Sequence, residues 1–164
     1  MAAVATMEES EWDRVLGVNL KGTFLCSKAV APHMMERRSG RIVNMSSKAG
    51  KRGWVGLAHY SASKFGVIGL TQSLAYEMGA SNVTVNAVCP GEVDTAMMSD
   101  VLAPAIAFVT GKTPEEAWQE WIATRVPLGR GQTPEDIGEA VVFLCRAENI
   151  TGEALNVTGG SEMA

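Results

Sequence analysis

The chain has 164 residues, and its composition, 46% hydrophobic and 20% charged, is that of a globular domain and excludes a disordered chain. Its net charge of −4, from 18 acidic and 14 basic residues, argues against nucleic acid or an anionic membrane surface as the main partner. No apolar run reaches the roughly 18–20 residues that a membrane-spanning helix needs, so no membrane partner is expected.

The three cysteines lie far apart, and no Cys-x-x-Cys pair is present. An odd, scattered set of this kind, Cys26, Cys89 and Cys145, predicts buried thiols in a reducing compartment. The first residues, MAAVATMEESEW, lack the basic start and apolar centre of a signal peptide. These features together predict a cytoplasmic protein.

The first part of the chain predicts a helix, a strand and a second helix. Residues 8–38 carry one apolar stripe, because an apolar residue recurs at every fourth position, at Trp12, Leu16, Leu20 and Phe24. Ser10 is the expected N-cap of this long helix. RIVNMSS (residues 41–47) then predicts a short strand, residues 48–58 a glycine-containing loop, and residues 60–78 the second helix.

The second part predicts a strand, a helical excursion, a helix and a last strand. VTVNAVCP (residues 83–90) is β-branched and apolar, as expected of a buried parallel strand. Residues 96–126 predict a mobile helical excursion interrupted by proline and glycine. Thr133 is expected to cap a helix that starts at Pro134, and ALNVTGG predicts the last strand. This alternation predicts one α/β unit over residues 1–164, with a parallel sheet covered by helices.

The stretch HYSASKFG, residues 59–66, places Tyr60 and Lys64 four positions apart. Residues at this spacing lie on the same face of a helix. A nearby ammonium favours the phenolate form of a tyrosine, which is the tuning that a general acid/base needs. The alternative is an amphipathic helix on which both side chains face solvent.

Ser47 lies at the end of the predicted strand 41–47, and Pro90 and Gly91 lie at the end of the predicted strand 83–90. In open α/β sheets, ligands bind at the carboxyl ends of the strands. A hydroxyl there would hold a substrate oxygen while Tyr60 moves the proton; the alternative is an ordinary cap or turn serine. A serine hydrolase is disfavoured, because no Gly-x-Ser-x-Gly elbow surrounds Ser47.

Other polar side chains carry weaker signals. Glu92 and Asp94 are expected to be loop carboxylates without a catalytic role, and His59 is a lesser candidate for a substrate pocket. The chain has 2 histidines, and lone histidines predict no metal site.

Five segments occur in an order typical of one family: GVNLKGTF, GRIVNMSS, YSASK, NAVCPGEVDT and TGEALNVTGG. On these segments the chain resembles a short-chain dehydrogenase/reductase. The resemblance covers nearly the whole chain and implies part of a Rossmann-type, doubly wound parallel sheet with helices on both faces. It also implies NAD or NADP as the cofactor and a small-molecule alcohol or ketone as the substrate.

The resemblance implies a role for each matched residue. Tyr60 would be the acid/base that exchanges a proton with the substrate oxygen. Lys64 would favour the phenolate form of Tyr60 and bind the hydroxyls of the nicotinamide ribose, and both side chains would contact the cofactor. Ser47 would orient the reacting oxygen, and Asn19 would hold a water in the proton relay. The other cofactor-binding residues would lie along the nicotinamide: Pro90, Gly91, Val93 and Thr95.

The chain departs from the family at its front. Neither a Gly-x-x-x-Gly-x-Gly turn nor an Asn-Asn-Ala-Gly segment is present, and roughly 80–90 residues of a family domain are expected to be missing, on ordinary domain dimensions. The first strands would then be absent, and the predicted strand 41–47 would have an exposed edge. One alternative is therefore a catalytically silent remnant that acts only through helix-mediated assembly.

The segment KTPEEAWQEWIATRVPLGRG and the ending NVTGGSEMA are most similar to family members that act on sugar alcohols and other small polyols. A polyol or ketose is therefore the favoured substrate, and a 3-oxoacyl thioester is the alternative. Residues 96–126 would form a lid over that substrate. The resemblance also implies a homodimer or homotetramer, assembled through the helices at 8–38 and 60–79.

Overall fold

The computed structural model of the protein describes residues 1–163 and has a parallel sheet at its centre. Strands β1 (Gly40–Met45), β2 (Val83–Pro90) and β3 (Ala154–Val157) lie in the order β1-β2-β3. All three predicted strands are confirmed. The central strand has the predicted bounds, because its β-branched, apolar run is buried along nearly its whole length.

The register brings the carboxyl ends of the strands to one edge of the sheet. Met45 of β1 lies opposite Val88 of β2, and Pro90 of β2 lies opposite Val157 of β3. Because all three strands are parallel, the residues that follow β1 and β2 leave the sheet at the same end.

Six α-helices account for most of the remaining regular structure within residues 1–163: α1 (Glu9–Leu16), α2 (Gly22–Glu36), α3 (Ala58–Gly79), α4 (Ala103–Thr110), α5 (Pro114–Arg125) and α6 (Pro134–Arg146). The helical excursion predicted for residues 96–126 is confirmed as α4 and α5. Across the described residues, no helix has both the length and the apolar character that a membrane crossing requires.

The sheet is covered on both faces, because successive side chains of β2 point to opposite sides. On one face Val83 shares a core cluster with Met78 of α3, and α2 also packs there. On the other face Val88 shares a core cluster with Ile137 and Leu144 of α6. The predicted α/β class, with helices on both faces of a parallel sheet, is confirmed.

The long helix predicted for residues 8–38 forms as α1 and α2, joined by a π-helical turn at Gly17–Lys21. The predicted cap is wrong: Glu8 occupies the N-cap position, and Ser10 lies inside the first turn. The amides of Glu11 and Trp12 donate to the Glu8 carbonyl (3.0 and 3.2 Å), so the helix starts before the serine.

The predicted start of α6 is confirmed. Thr133 Oγ1 accepts a hydrogen bond from the Asp136 amide (3.2 Å), and the Asp136 carboxylate accepts one from the Thr133 amide (2.8 Å). Pro134 takes the first helical position, where a missing amide costs nothing. The Arg130 guanidinium donates to the same carboxylate and, with the Thr133 amide, holds the pKa of Asp136 well below its usual range.

The cysteines differ from the prediction of three buried thiols. Only Cys89, on β2, is buried, and burial raises the pKa of its thiol above the usual 9.0. Cys26 and Cys145 are exposed, because each lies on the outer side of its helix, α2 and α6 respectively. All three are free thiols.

The strand β1 forms one edge of the sheet. In the part of the chain that the structure describes, β1 pairs only with β2, so its outer side has backbone groups without a strand partner. The side chain of Met45 at its end is 45% exposed. The exposed edge expected for this strand is therefore present.

Candidate active site

Helix α3 places Tyr60 and Lys64 on one face, as their spacing predicts. Lys64 Nζ lies 5.7 Å from the centre of the Tyr60 ring. The same ammonium donates a hydrogen bond to the carbonyl oxygen of Met45 (3.0 Å), the last residue of β1. Burial lowers the pKa of Lys64 from its usual 10.5. The carboxyl end of β1 is therefore in direct contact with the tyrosine–lysine pair.

Ser47 follows β1 and begins a short 3₁₀ turn, Lys48–Gly50. Its Oγ accepts a hydrogen bond from the Ala49 amide (3.1 Å), which is the ordinary capping role of a serine. A hydroxyl that accepts this bond still has its own proton to donate. The structure therefore leaves the Ser47 hydroxyl able to donate to a substrate oxygen.

The turn after Ser47 is held against α3 at Lys64. Ser46 Oγ donates to the Lys64 carbonyl oxygen (2.9 Å). A Cβ atom on Gly50 would lie 2.6 Å from Ser46 Oγ and 2.8 Å from that same carbonyl oxygen. Only glycine fits this close approach, and the contact fixes Ser47 relative to the tyrosine–lysine pair.

Asn19 lies in the π-helical turn between α1 and α2 and contacts α3. Its Nδ2 donates to Ser63 Oγ (3.1 Å), and Ser63 Oγ donates to the Tyr60 carbonyl oxygen (2.7 Å). The Asn19 carbonyl oxygen accepts a hydrogen bond from Thr23 (2.7 Å). Short π-helical turns are frequent at functional sites. The turn thus places an otherwise unfavourable helix asparagine against the helical turn that carries Tyr60 and Lys64.

The residues predicted to line the nicotinamide leave the end of β2. Gly91 donates its amide to Val157 of β3 (3.0 Å), and a Cβ atom there would lie 2.7 Å from Gln132 Oε1 and 2.9 Å from Thr158 Cα. The close approach that Gly91 allows is therefore to the protein's own chain. Pro90 ends the strand, and Val93 forms an isolated parallel bridge with Gln132.

Thr95 is exposed and lies on the wall of a cavity of about 470 Å³. The cavity is open to solvent and lies between the loop after β2 and the two helices of the excursion, with walls formed by Asp94, Thr95, Ala96, Met98, Ser99, Ala103, Pro114, Glu115 and Trp118. Met97 is 68% exposed and lies outside this lining. The excursion is therefore positioned beside the residues that follow β2.

Sequence reasoning missed the role of Glu92, which was expected to be a loop carboxylate. The side chain is 1% exposed and accepts hydrogen bonds from Lys48, from Trp121 Nε1 (3.1 Å) and from Ser161 Oγ (2.9 Å). Burial alone would raise the pKa of Glu92, but the bond and charge of Lys48, with the other two donors, lower it. The available signal was an acidic residue two positions after the end of a buried strand.

His59 packs against the first helix. Its side chain is 5% exposed, and Nε2 lies 3.3 Å from Glu11 Oε1 on α1. His59 is absent from the lining of the cavity beside Thr95. The candidate role of His59 in a substrate pocket therefore gains no support from its contacts.

Comparison with known proteins shows the family to which the chain is related. The sequence family described as enoyl-(acyl carrier protein) reductase matches residues 1–162. The 3-oxoacyl-[acyl-carrier-protein] reductase of Thermotoga maritima is 40% identical over 161 residues, which is 97% of this chain and 60% of that protein. The (2S)-[(R)-hydroxy(phenyl)methyl]succinyl-CoA dehydrogenase subunit of Thauera aromatica is 39% identical over 163 residues, 98% of this chain and 60% of the relative.

The fold has a solved counterpart. The crystal structure of sorbitol-6-phosphate 2-dehydrogenase from Erwinia amylovora superposes with a TM-score of 0.93 and 36% identity, over 99% of this chain and 64% of that one. The sheet and helices are thus a Rossmann-type α/β arrangement. The chain belongs to the short-chain dehydrogenase/reductase family. It spans about 60% of the length of the curated relatives that it matches.

Proposed function

We propose that this chain carries the catalytic half of an NAD- or NADP-dependent oxidoreductase that transfers a hydride between nicotinamide and a secondary alcohol or ketone. The observation that supports this most is the placement of Ser47, Tyr60 and Lys64. The Lys64 ammonium contacts the end of β1 and the Tyr60 ring. The Lys64 carbonyl oxygen accepts a hydrogen bond from Ser46, the residue before Ser47. Family membership supports the same reaction class.

The chain's own residues account for the proton transfer. Tyr60 gives a proton to the substrate oxygen during reduction and takes it back during oxidation. The Lys64 ammonium near the ring stabilises the phenolate that remains. The Ser47 hydroxyl donates to the reacting oxygen and holds it near Tyr60. Asn19 keeps this turn of α3 in place through Ser63 and is the candidate holder of a relay water.

The nicotinamide cofactor supplies or accepts the hydride when it is bound. Tyr60 and Lys64 are the candidates for the ribose contacts, and the residues along the nicotinamide would be Pro90, Gly91, Val93 and Thr95. The exposed Thr95 and the cavity beside it fit such a ligand. Gly91 supports a contact with the nicotinamide less directly, since the atoms closest to it belong to Gln132 and Thr158. Neither NAD nor NADP is favoured by these residues.

The proposed substrate is a sugar alcohol or small polyol, with α4 and α5 as its lid within residues 96–126. The likeness to a sorbitol-6-phosphate 2-dehydrogenase supports a polyol. The second candidate is a 3-oxoacyl thioester, supported by the names of relatives about 40% identical to the chain. Turnover of one substrate class but not the other decides between them.

Assembly through the helices at 8–38 and 60–79 is also part of the proposal. Large apolar side chains are exposed on both, at Val18, Phe24, Leu25, Val30, Met35 and Phe65. Leu16, Leu20 and Phe24 of the predicted stripe line an open groove of about 510 Å³. Exposed apolar surface of this kind marks association sites, so a homodimer or homotetramer is expected. A reducing cytoplasm suits the free thiols.

Replacing Tyr60 by phenylalanine tests the proposed chemistry. We expect turnover of a polyol or ketone to fall by about 10²–10⁴-fold, because general acid/base catalysis contributes that much. Binding of NADH or NADPH, followed by nicotinamide fluorescence, should weaken far less than turnover falls, because Lys64 and the other candidate cofactor contacts remain. The matched control is Tyr76→Phe, because Tyr76 lies on the same helix and is 91% exposed.

A Tyr60→Phe protein that turns over substrate as fast as Tyr76→Phe would contradict the proposed role. A folded wild-type chain that binds neither NADH nor NADPH would favour the alternative, a silent remnant that acts through assembly alone.

A further inference from the structure

The carboxylate of Glu92 joins segments that are far apart in the sequence. It accepts hydrogen bonds from Lys48 in the turn after Ser47, from Trp121 in α5, and from Ser161 near the end of the chain. Trp121 and Ser161 are 29 and 69 positions away from it. No other carboxylate in the described residues has three such partners.

Both side chains of the Lys48–Glu92 ion pair are largely buried. Their side chains are 13% and 1% exposed. Burying a carboxylate costs free energy unless the charge is paired and its oxygens accept hydrogen bonds. Here Oε1 of Glu92 accepts hydrogen bonds from Lys48 and Trp121, and Oε2 accepts one from Ser161. The arrangement holds only if all three donors stay in place, so the carboxylate fixes three segments together.

The position of helix α5 depends on the Glu92 carboxylate, because α5 does not pack directly on the sheet. Its principal helix contact is α4, whereas α3 and α6 pack directly on the sheet. Trp121 of α5 also contacts Trp54, with ring centres 6.3 Å apart and the rings tilted by 38°. The Lys48 ammonium lies 4.6 Å from the centre of the Trp54 ring. Lys48, Trp54 and Trp121 thus form one cluster between α5 and the turn that follows Ser47.

We propose that Glu92 is a positioning residue that fastens α5 and the segment 158–163 to the turn carrying Ser47. Under the proposed function, on which this step rests, α4 and α5 cover the substrate. Glu92 then sets the distance between that cover and Ser47 without touching the reacting atoms. Its loss would weaken substrate binding more than it slows proton transfer.

Hydrogen–deuterium exchange on the full chain tests the fastening without substrate or cofactor. Trp121→Phe removes one donor and keeps an aromatic ring, and Glu92→Leu removes the acceptor. We expect Trp121→Phe to raise amide exchange in residues 114–125 by roughly tenfold, the effect of losing one hydrogen bond to a charged group, and Glu92→Leu to raise it by at least as much. In Trp121→Phe, exchange in β2 and α3 should not change. In Glu92→Leu, which leaves Lys48 buried and unpaired, exchange in β2 and α3 should rise less than exchange in residues 114–125. Trp118→Phe, on the same helix, is the control that should leave the exchange in α5 at the wild-type rate.

The double variant Lys48→Met with Glu92→Leu separates fastening from simple charge burial. It removes the ammonium that Glu92→Leu alone leaves buried and unpaired, so overall stability should recover. Fast exchange in residues 114–125 should persist, because Trp121 and Ser161 still lack their acceptor. Wild-type protection of α5 in the double variant, or in Trp121→Phe, would overturn the proposal.

Kinetics give a second, independent readout. Trp121→Phe should raise KM by about threefold or more and leave kcat within about twofold. The reverse split, with kcat lowered and KM unchanged, would overturn the positioning role. A chain that binds no cofactor would refute the proposed function, while the exchange result would still decide whether Glu92 fastens α5.

Discussion

Alanine at position 50 should lower the stability of the protein, because the 3₁₀ turn after Ser47 has no room for a side chain. The added Cβ atom would lie 2.6 Å from Ser46 Oγ and 2.8 Å from the Lys64 carbonyl oxygen, both closer than real Cβ contacts. One of these neighbours is backbone, so a rotamer change cannot relieve the clash. Overpacking of this kind costs about 1–3 kcal/mol. For a chain of 164 residues this corresponds to a Tm lowered by about 2–12 °C.

Urea unfolding followed by circular dichroism measures the difference, and Gly53→Ala is the matched control. Gly53 lies in the same loop, and no heavy atom lies within 4 Å of the position where its Cβ would be. Alanine also restricts the unfolded chain at either position, which stabilises by about 0.4–1 kcal/mol, and the comparison cancels this contribution. A Gly50→Ala protein as stable as Gly53→Ala would refute the close packing of this turn on α3.

Leu144→Ala should lower the free energy of unfolding by about 2–5 kcal/mol, because this side chain of α6 is 1% exposed and packs in the core against β2. The control is Val142→Ala on the same helix, where the side chain is 46% exposed; in the same urea experiment it should cost well under half as much. The stability of the protein should also depend on pH through Glu92. The folded-state pKa of Glu92 lies below its usual 4.5, so its ion pair stabilises the protein fully above that pH and loses its effect as the pH falls through the folded pKa. The gap in unfolding free energy between wild type and Glu92→Gln should therefore narrow from about pH 6 to about pH 3, and a constant gap would contradict the assignment.

Much of the fold follows from local patterns in the sequence. The run VTVNAVCP specifies the buried central strand, because it is rich in β-branched and apolar residues, which favour strands, and carries no charged residue. Thr133, Pro134 and Asp136 specify the start of α6, because capping involves only the first turn of a helix. The spacing of Tyr60 and Lys64 likewise specifies their common face.

Other features depend on contacts between distant segments and could not be derived locally. Asn19 bonds to a serine 44 positions away, and its π-helical turn has no sequence signature of its own. The burial of Glu92 depends on donors in three other segments, so its local sequence indicates only a loop carboxylate. Ser10 has the residue type of a cap, but the helix starts earlier, at Glu9. The exposure of Cys26 depends on what covers α2, which composition does not reveal.

Because one edge of β1 has no strand partner within the described residues, the stability of this chain should depend on what else is present in solution. The outward-facing amides and carbonyls of Gly40–Met45 form a template on which an extended segment of another polypeptide can add as a further strand. A segment that needs the folded strand as its template binds the folded state better than the unfolded one. By mass action, the apparent melting temperature would then rise with the concentration of that segment.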